Sequence, residues 1–165
     1  MGLFDRFFRG REKLLDSDEP ERAFAPDPSA DVWQLATGAT NEKAFARIHE
    51  QGVNLLRVSS GEAVTLSAFP SSVLLFATVW EPYSAKTIGA LKKRIDAGNA
   101  KPFAIVFFEN SRQEVAESKQ SSWYFSQAYV LAPESAGLRE MIGRVPFHVF
   151  VGADGKAERI VEGKS

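Results

Sequence analysis

The sequence predicts an α/β fold, a mixed central sheet flanked by helices, preceded by an N-terminal extension. Three observations predict it. Apolar runs of strand length alternate with amphipathic stretches of helix length from residue 53 onward. Strands joined through helices pair in parallel, because parallel pairing needs a long crossover. The last two apolar runs are joined instead by Gly152-Ala153-Asp154-Gly155, a tight turn that makes them an antiparallel hairpin.

Taken in order, residues 1–15 set Leu3, Phe4, Phe7 and Phe8 at roughly helical spacing, with Arg6, Arg9, Arg11 and Lys13 between them. Such an amphipathic segment suits weak contact with a membrane surface or a partner protein. A helix folded back on the domain, or a frayed end, suits it as well, and Gly10 weakens a continuous helix. Residues 16–30 combine Pro20, Pro26 and Pro28 with a run of acids and read as a linker. The domain proper is expected over residues 31–165.

Residues 31–49 are expected to be helical, with Thr40 or Asn41 capping a helix through Gln51 and Gly52 ending it. Ala44, Phe45 and Ile48 share one face of that helix. Val53 to Val58 and Ala63 to Leu66 form a hairpin around Ser59-Ser60-Gly61-Glu62. Val73 to Phe76 is a continuous apolar run and the central strand. The helix after it reaches about Asp96, with Ala85, Ile88, Leu91 and Ile95 turned inward. Lys86, Lys92, Lys93 and Arg94 are expected in water, and Gly98 stops the helix. Phe103 to Phe108 is a buried strand, Ser111 caps a helix to about Ser121, and Trp123-Tyr124-Phe125 packs the core. Ala128 to Leu131 is a strand. Pro133 opens a helix through Ile142, and Phe147 to Val151 with Lys156 to Val161 forms the closing hairpin.

Composition narrows the chemistry. At 165 residues and 44% apolar, with 13 phenylalanines, the chain buries a normal core. A formal net charge of −1 gives nucleic acid no electrostatic footing. The complete absence of cysteine removes disulfides, thiolate metal sites and thiol catalysis together. His49 and His148 are the only histidines, lie far apart among scattered acids, and read as structural; no metal or cofactor is expected. No phosphate-binding glycine loop and no nucleophile elbow is present. No apolar run is long enough to span a membrane, and charges interrupt the N-terminal apolar residues, so a cytoplasmic location is expected, peripheral to a membrane if residues 1–15 touch one.

Three segments then converge. Trp80-Glu81-Pro82-Tyr83-Ser84 joins the central strand to its helix. Gly61 to Phe69 forms the hairpin before that strand. Arg144-Val145-Pro146-Phe147 leads into the closing hairpin with its Asp154-Gly155-Lys156 turn. In this order, over about residues 53–163, they resemble the thioredoxin superfamily, in the branch that holds cytochrome-maturation oxidoreductases and peroxiredoxins. The resemblance implies that Pro146 is cis, lies across from the motif helix, and that the residue before it pairs through its backbone with an extended peptide. It also implies cysteines where this chain has Glu81 and Ser84, and in many members a buried acid where it has Leu75. The thiol machinery is thus missing at three positions. Relatives continue from the hairpin into a final helix. Here Ser165 follows two residues after Gly163, so that helix is not expected, and the N-terminal segment, the 41–51 helix or a partner covers the sheet instead.

Glu81 falls at the start of the motif helix with Pro82 in the first helical position. The helix field favours an anion there by about 0.3–1 kcal/mol, which suits a capping acid or a stand-in for the lost thiolate better than a general acid. The expected function is a redox-inactive thioredoxin-like module that binds a protein or peptide. Its groove is formed by Trp80, Glu81, Pro82, Tyr83 and Ser84 facing Val145, Pro146 and Phe147. The alternatives are a non-thiol enzyme or small-ligand binder built on Glu81, and a structural subunit of a larger assembly.

Overall fold

A computed structural model describes residues 32–35, 37–38, 40–99, 101–118 and 121–163. The amphipathic segment at residues 1–15 and the linker at 16–30 lie outside the described residues. In chain order the elements are β1 (Trp33–Gln34), α1 (Glu42–Gln51), β2 (Asn54–Arg57), β3 (Ala63–Thr65), β4 (Val73–Ala77), α2 (Pro82–Asp96), β5 (Phe103–Phe107), α3 (Arg112–Ala116), β6 (Ala128–Leu131), β7 (Arg144–Val145), β8 (Phe147–Val151) and β9 (Ala157–Glu162). Short 3-10 turns lie between them, the longest over Pro133–Met141.

Seven strands form one sheet in the order β3-β2-β6-β5-β4-β8-β9, and β1 pairs with β7 in a separate two-stranded ribbon. β4, β5 and β6 are parallel, β8 runs antiparallel to β4, and β9 runs antiparallel to β8 and so in the direction of β4. All five residues of β4 are buried, as a strand covered on both faces must be. Its alternating side chains split the interior in two. Leu74 and Phe76 meet Ala44 and Ile48 of α1 on one side. Val73, Leu75 and Ala77 meet Ile88 and Leu91 of α2 on the other. α1 also packs against β9, over Val149, Val151 and Ala157, so of the three candidates for covering the sheet the 41–51 helix takes this part. On the opposite face the Arg159 guanidinium lies 4.0 Å from the centre of the Phe150 ring.

The structure corrects several local expectations. Residues 31–49 are not one helical stretch: Trp33 and Gln34 are extended, and the helix begins only at Glu42. A free strand edge at β7 offers backbone partners that local propensity cannot foresee. Arg94 is not solvated but 4% exposed, because it lies three residues after Leu91 on the inner face of α2, while Ala85 is on the outer face. The helix after Ser111 is a single capping-box turn and a little more, ending at Ala116. The stretch after Pro133 is 3-10 rather than α-helical. The turn at Gly155 needs glycine twice over: φ is +79°, and a Cβ there would sit 2.9 Å from the Ser67 Cα.

His148, paired with Leu75 and Val161, points into the α2 side of the interior and is 1% exposed. Burial lowers its pKa from 6.5 to about 4, against the opposing effect of a hydrogen bond to the Val161 backbone. The folded state therefore holds the neutral ring, and the stability this supplies is complete above pH 6.5. It is lost as the unfolded chain takes up the proton that the folded chain refuses, by roughly 3 kcal/mol between pH 6.5 and 4. Urea titrations across that range should show a steeper loss for the wild-type chain than for His148→Leu. Parallel profiles would show that the buried ring protonates freely.

Candidate functional site

The register between β4 and β8 builds the site. Phe76 pairs with Phe147, and their rings stack 4.7 Å apart at 11°. The end of β4 therefore delivers residues 78–84 beside the start of β8, where Arg144, Val145 and Pro146 lie. The Val145–Pro146 peptide is cis.

Glu81 is the N-cap of α2 and is 1% exposed. Pro82 follows at the first helical position, where its missing N–H costs nothing. The next two backbone donors both turn back to the carboxylate: Tyr83 N–H donates to Oε1 at 2.5 Å and Ser84 N–H to Oε2 at 2.7 Å. Both oxygens are engaged and the group is out of reach of solvent. That geometry is a helix cap, and it leaves little for a base or a ligand to do. Ser84 is fully buried, and its hydroxyl accepts from the Thr78 N–H at 3.2 Å. Asn110 holds the same loop from outside, its Oδ1 accepting from the Val79 N–H at 3.1 Å. Val145, Pro146 and Phe147 are buried as well. Of the eight residues expected to line the groove, only Trp80 and Pro82 present exposed side chains, with Tyr83 half-buried.

The residue that sequence reasoning missed is Trp33. It pairs antiparallel with Val145, as Gln34 does with Arg144, and the Leu35 N–H donates to the Gly143 carbonyl at 2.7 Å. Its ring meets Trp80 edge-on with centroids 6.2 Å apart. The two tryptophans are 43% and 51% exposed, the two large apolar side chains left in solvent among the described residues. The signal was the alternation Val32-Trp33-Gln34-Leu35, apolar residues of strand type interrupted by one polar residue. Leu35, 6% exposed, is the buried anchor of this segment, and burying a leucine contributes roughly 1.5–3 kcal/mol.

Asn41 fixes the far side of β7. Its side-chain Oδ1 accepts from the Gly143 and Arg144 N–H groups at 2.9 and 3.2 Å, and its Nδ2 donates to the Arg144 carbonyl at 2.9 Å and to Glu162 Oε2 at 2.7 Å. The expected helix-capping role is absent: Asn41 occupies the N-cap position without a side-chain cap bond, because its amide is spent on β7 and β9.

Beside the motif loop a cleft of about 490 Å³ opens between α2 and α3, lined by Thr78, Val79, Ala85, Ile88, Phe107 and Tyr124 among others. Glu114 at its rim is held below the ordinary carboxylate range by the Ser111 backbone N–H first and the Asn110 side chain second. Among the described residues no three His, Cys, Asp or Glu side chains cluster closely enough to hold a metal ion. Nor is any helix among them long and apolar enough to cross a membrane.

No protein-family model matches the chain, and no curated protein matches it. Solved structures do. StoA from Bacillus subtilis superposes with a TM-score of 0.52 at 18% identity, over 67% of this chain and 87% of that one. A thiol:disulfide interchange protein of the thioredoxin family from Chlorobium tepidum gives 0.51 at 13% identity, over 69% and 84%. A secreted disulfide oxidoreductase from Mycobacterium tuberculosis gives 0.49 at 19%, over 73% and 90%. At these identities the first two likenesses are ones of fold: a thioredoxin-like sheet and helices, in a chain with no cysteine for thiol–disulfide exchange.

If Glu81 is a cap, Glu81→Ala should lower stability by about 1–2 kcal/mol, since two buried N–H groups lose their acceptor. Glu81→Gln, which keeps an acceptor oxygen, should lose less. Urea unfolding of the two variants checks the order.

Proposed function

We propose that this cysteine-free chain of thioredoxin-like fold is a redox-inactive binding module that docks a protein partner at the motif end of its sheet. One observation carries the proposal: Trp33 and Trp80 meet edge to face in solvent, beside the strand edge that precedes the cis proline. Exposed tryptophans side by side are costly to leave in water, and tryptophan is among the commonest residues to dominate binding energy at interfaces. The module keeps the shape of a redox site and has exchanged its reactive anion for a buried capping carboxylate, which supports binding over chemistry. An enzyme built on Glu81 has less support, because both of its oxygens are engaged and the group is buried.

Residues 1–15, with Leu3, Phe4, Phe7 and Phe8, are proposed as a tether to a membrane surface or larger assembly, joined through the acidic linker. The proposed compartment is the cytoplasm. Fractionation of cells expressing the tagged chain tests it, and recovery in the medium or outside the inner membrane overturns it.

Affinity capture with the tagged full chain tests the docking face. Trp80→Ala should cut recovery of the partner by about tenfold or more while the thermal melt is little changed, as expected for a half-exposed hot-spot side chain. Equal recovery by both chains would remove the tryptophan pair from any interface.

A further inference from the structure

The cleft between α2 and α3 is left open by the unequal lengths of the two helices. α2 runs for 15 residues, whereas α3 ends after 5 and contributes one buried side chain, Val115. The space that remains, about 490 Å³, falls within the roughly 300–1,000 Å³ usual for sites that hold small molecules. Ile88, Phe107 and Tyr124 line it and are buried, and the last two rings lie 5.6 Å apart. They give the cleft an apolar wall.

Two kinds of polar group join this lining. Thr78 lines the cleft from the loop after β4 and is 1% exposed. Its backbone N–H is tied to the Ser84 hydroxyl, but its own Oγ1 has no hydrogen-bond partner among the described residues. A buried hydroxyl in that condition has given up water and received nothing in return, which native structures rarely leave so. At the rim stand two exposed carboxylates, Glu114 and Glu117. Glu114 keeps its charge through the Ser111 backbone N–H first and the Asn110 side chain second. Glu117 accepts from the Gln113 side chain through Oε1 at 3.0 Å. No lysine, arginine or histidine lines the cleft. Arg139, paired with Glu109 at 4.0 Å, is the smallest influence on Glu114. The mouth therefore favours a cation, the wall an apolar body, and Thr78 a hydroxyl.

We propose that this cleft binds a small hydroxylated arylalkylamine, its ring against Ile88, Phe107 and Tyr124, its hydroxyl on Thr78 Oγ1 and its ammonium group at the Glu114–Glu117 rim. The ring supplies affinity, and the two polar ends fix orientation. The hydroxyl contact selects, because an analogue without it leaves the buried Thr78 group unpaired. None of the lining residues belongs to the Trp80 groove or to the tryptophan pair. The site goes beyond the docking face proposed above and stands or falls without it.

The probe is tyramine, titrated into the isotope-labelled full-length chain and followed by amide chemical shifts. Saturable shifts are expected at Val79, Phe107 and Ser118, with a dissociation constant on the order of millimolar, usual for a ligand of this size. Phenethylamine, which lacks only the hydroxyl, should bind roughly three- to tenfold more weakly. The para-hydroxyphenylpropionate anion, with a carboxylate in place of the ammonium group, should not bind. Thr78→Val should lower tyramine to the affinity of phenethylamine and leave the thermal melt no lower than wild type, since the hydroxyl removed has no partner in the folded chain. Glu117→Gln should weaken both amines. Absence of saturable shifts with tyramine, equal binding of tyramine and phenethylamine, binding of the anion, or unchanged affinity in Glu117→Gln overturns the proposal. So does a Thr78→Val melt well below wild type, which would show that the hydroxyl is already satisfied. Trp80-dependent capture is read separately, and neither result here alters it.

Discussion

The pairing of Phe76 with Phe147 across β4 and β8 holds the rest of the site in place. The two strands are antiparallel, so the end of one meets the start of the other, and a single register decides which loop faces which. A slip of one residue would turn Phe76, Leu74 and their partners to the wrong face. The stacked rings, buried at the centre of the sheet, oppose that slip with aromatic contact in addition to burial. From this pairing follow the placement of the motif loop, the proximity of Trp80 to the β7 edge, and the space that β1 fills.

Much of the fold was legible because its signals are local. The unbroken apolar run of β4, the Gly98 stop after α2, the capping box at Ser111 and the turn at Gly155 each declare themselves within a few residues. The order of the elements then leaves few ways to arrange the sheet. What could not be read depends on distant partners. Trp33 and Gln34 are a strand only because Arg144 and Val145, over a hundred residues later, present an open edge. Arg94 looks like part of a solvated basic run, and only the rotation of α2 against the sheet shows it facing inward. The site shared both fates. Glu81 was recognisable as a helix-start acid from Pro82 beside it, but its burial was not, and the second tryptophan of the exposed pair came from a segment read as helical.

Glu81 sets an acidic side chain at the start of α2 and turns it back on the helix. An acid is favoured at the start of a helix, where free N–H groups point. A carboxylate reaches back over those N–H groups and is consumed by them, whereas a reacting group must point outward. The loop is held through these donors, Tyr83 and Ser84, with the Thr78 N–H bound to the Ser84 hydroxyl in addition. With Glu81 buried and engaged, the exposed part of this region is its periphery, Trp80 and the β7 edge.

The Asn41 amide behaves as one residue of a missing strand: its oxygen and nitrogen pair with the N–H and carbonyl of Arg144 much as a neighbouring peptide group would, and the nitrogen also reaches Glu162. Such a role tolerates no isostere. Aspartate in its place would set two carboxylates at hydrogen-bond distance with no donor between them. The strand before the cis proline is thus held on its far side by the two ends of a single amide.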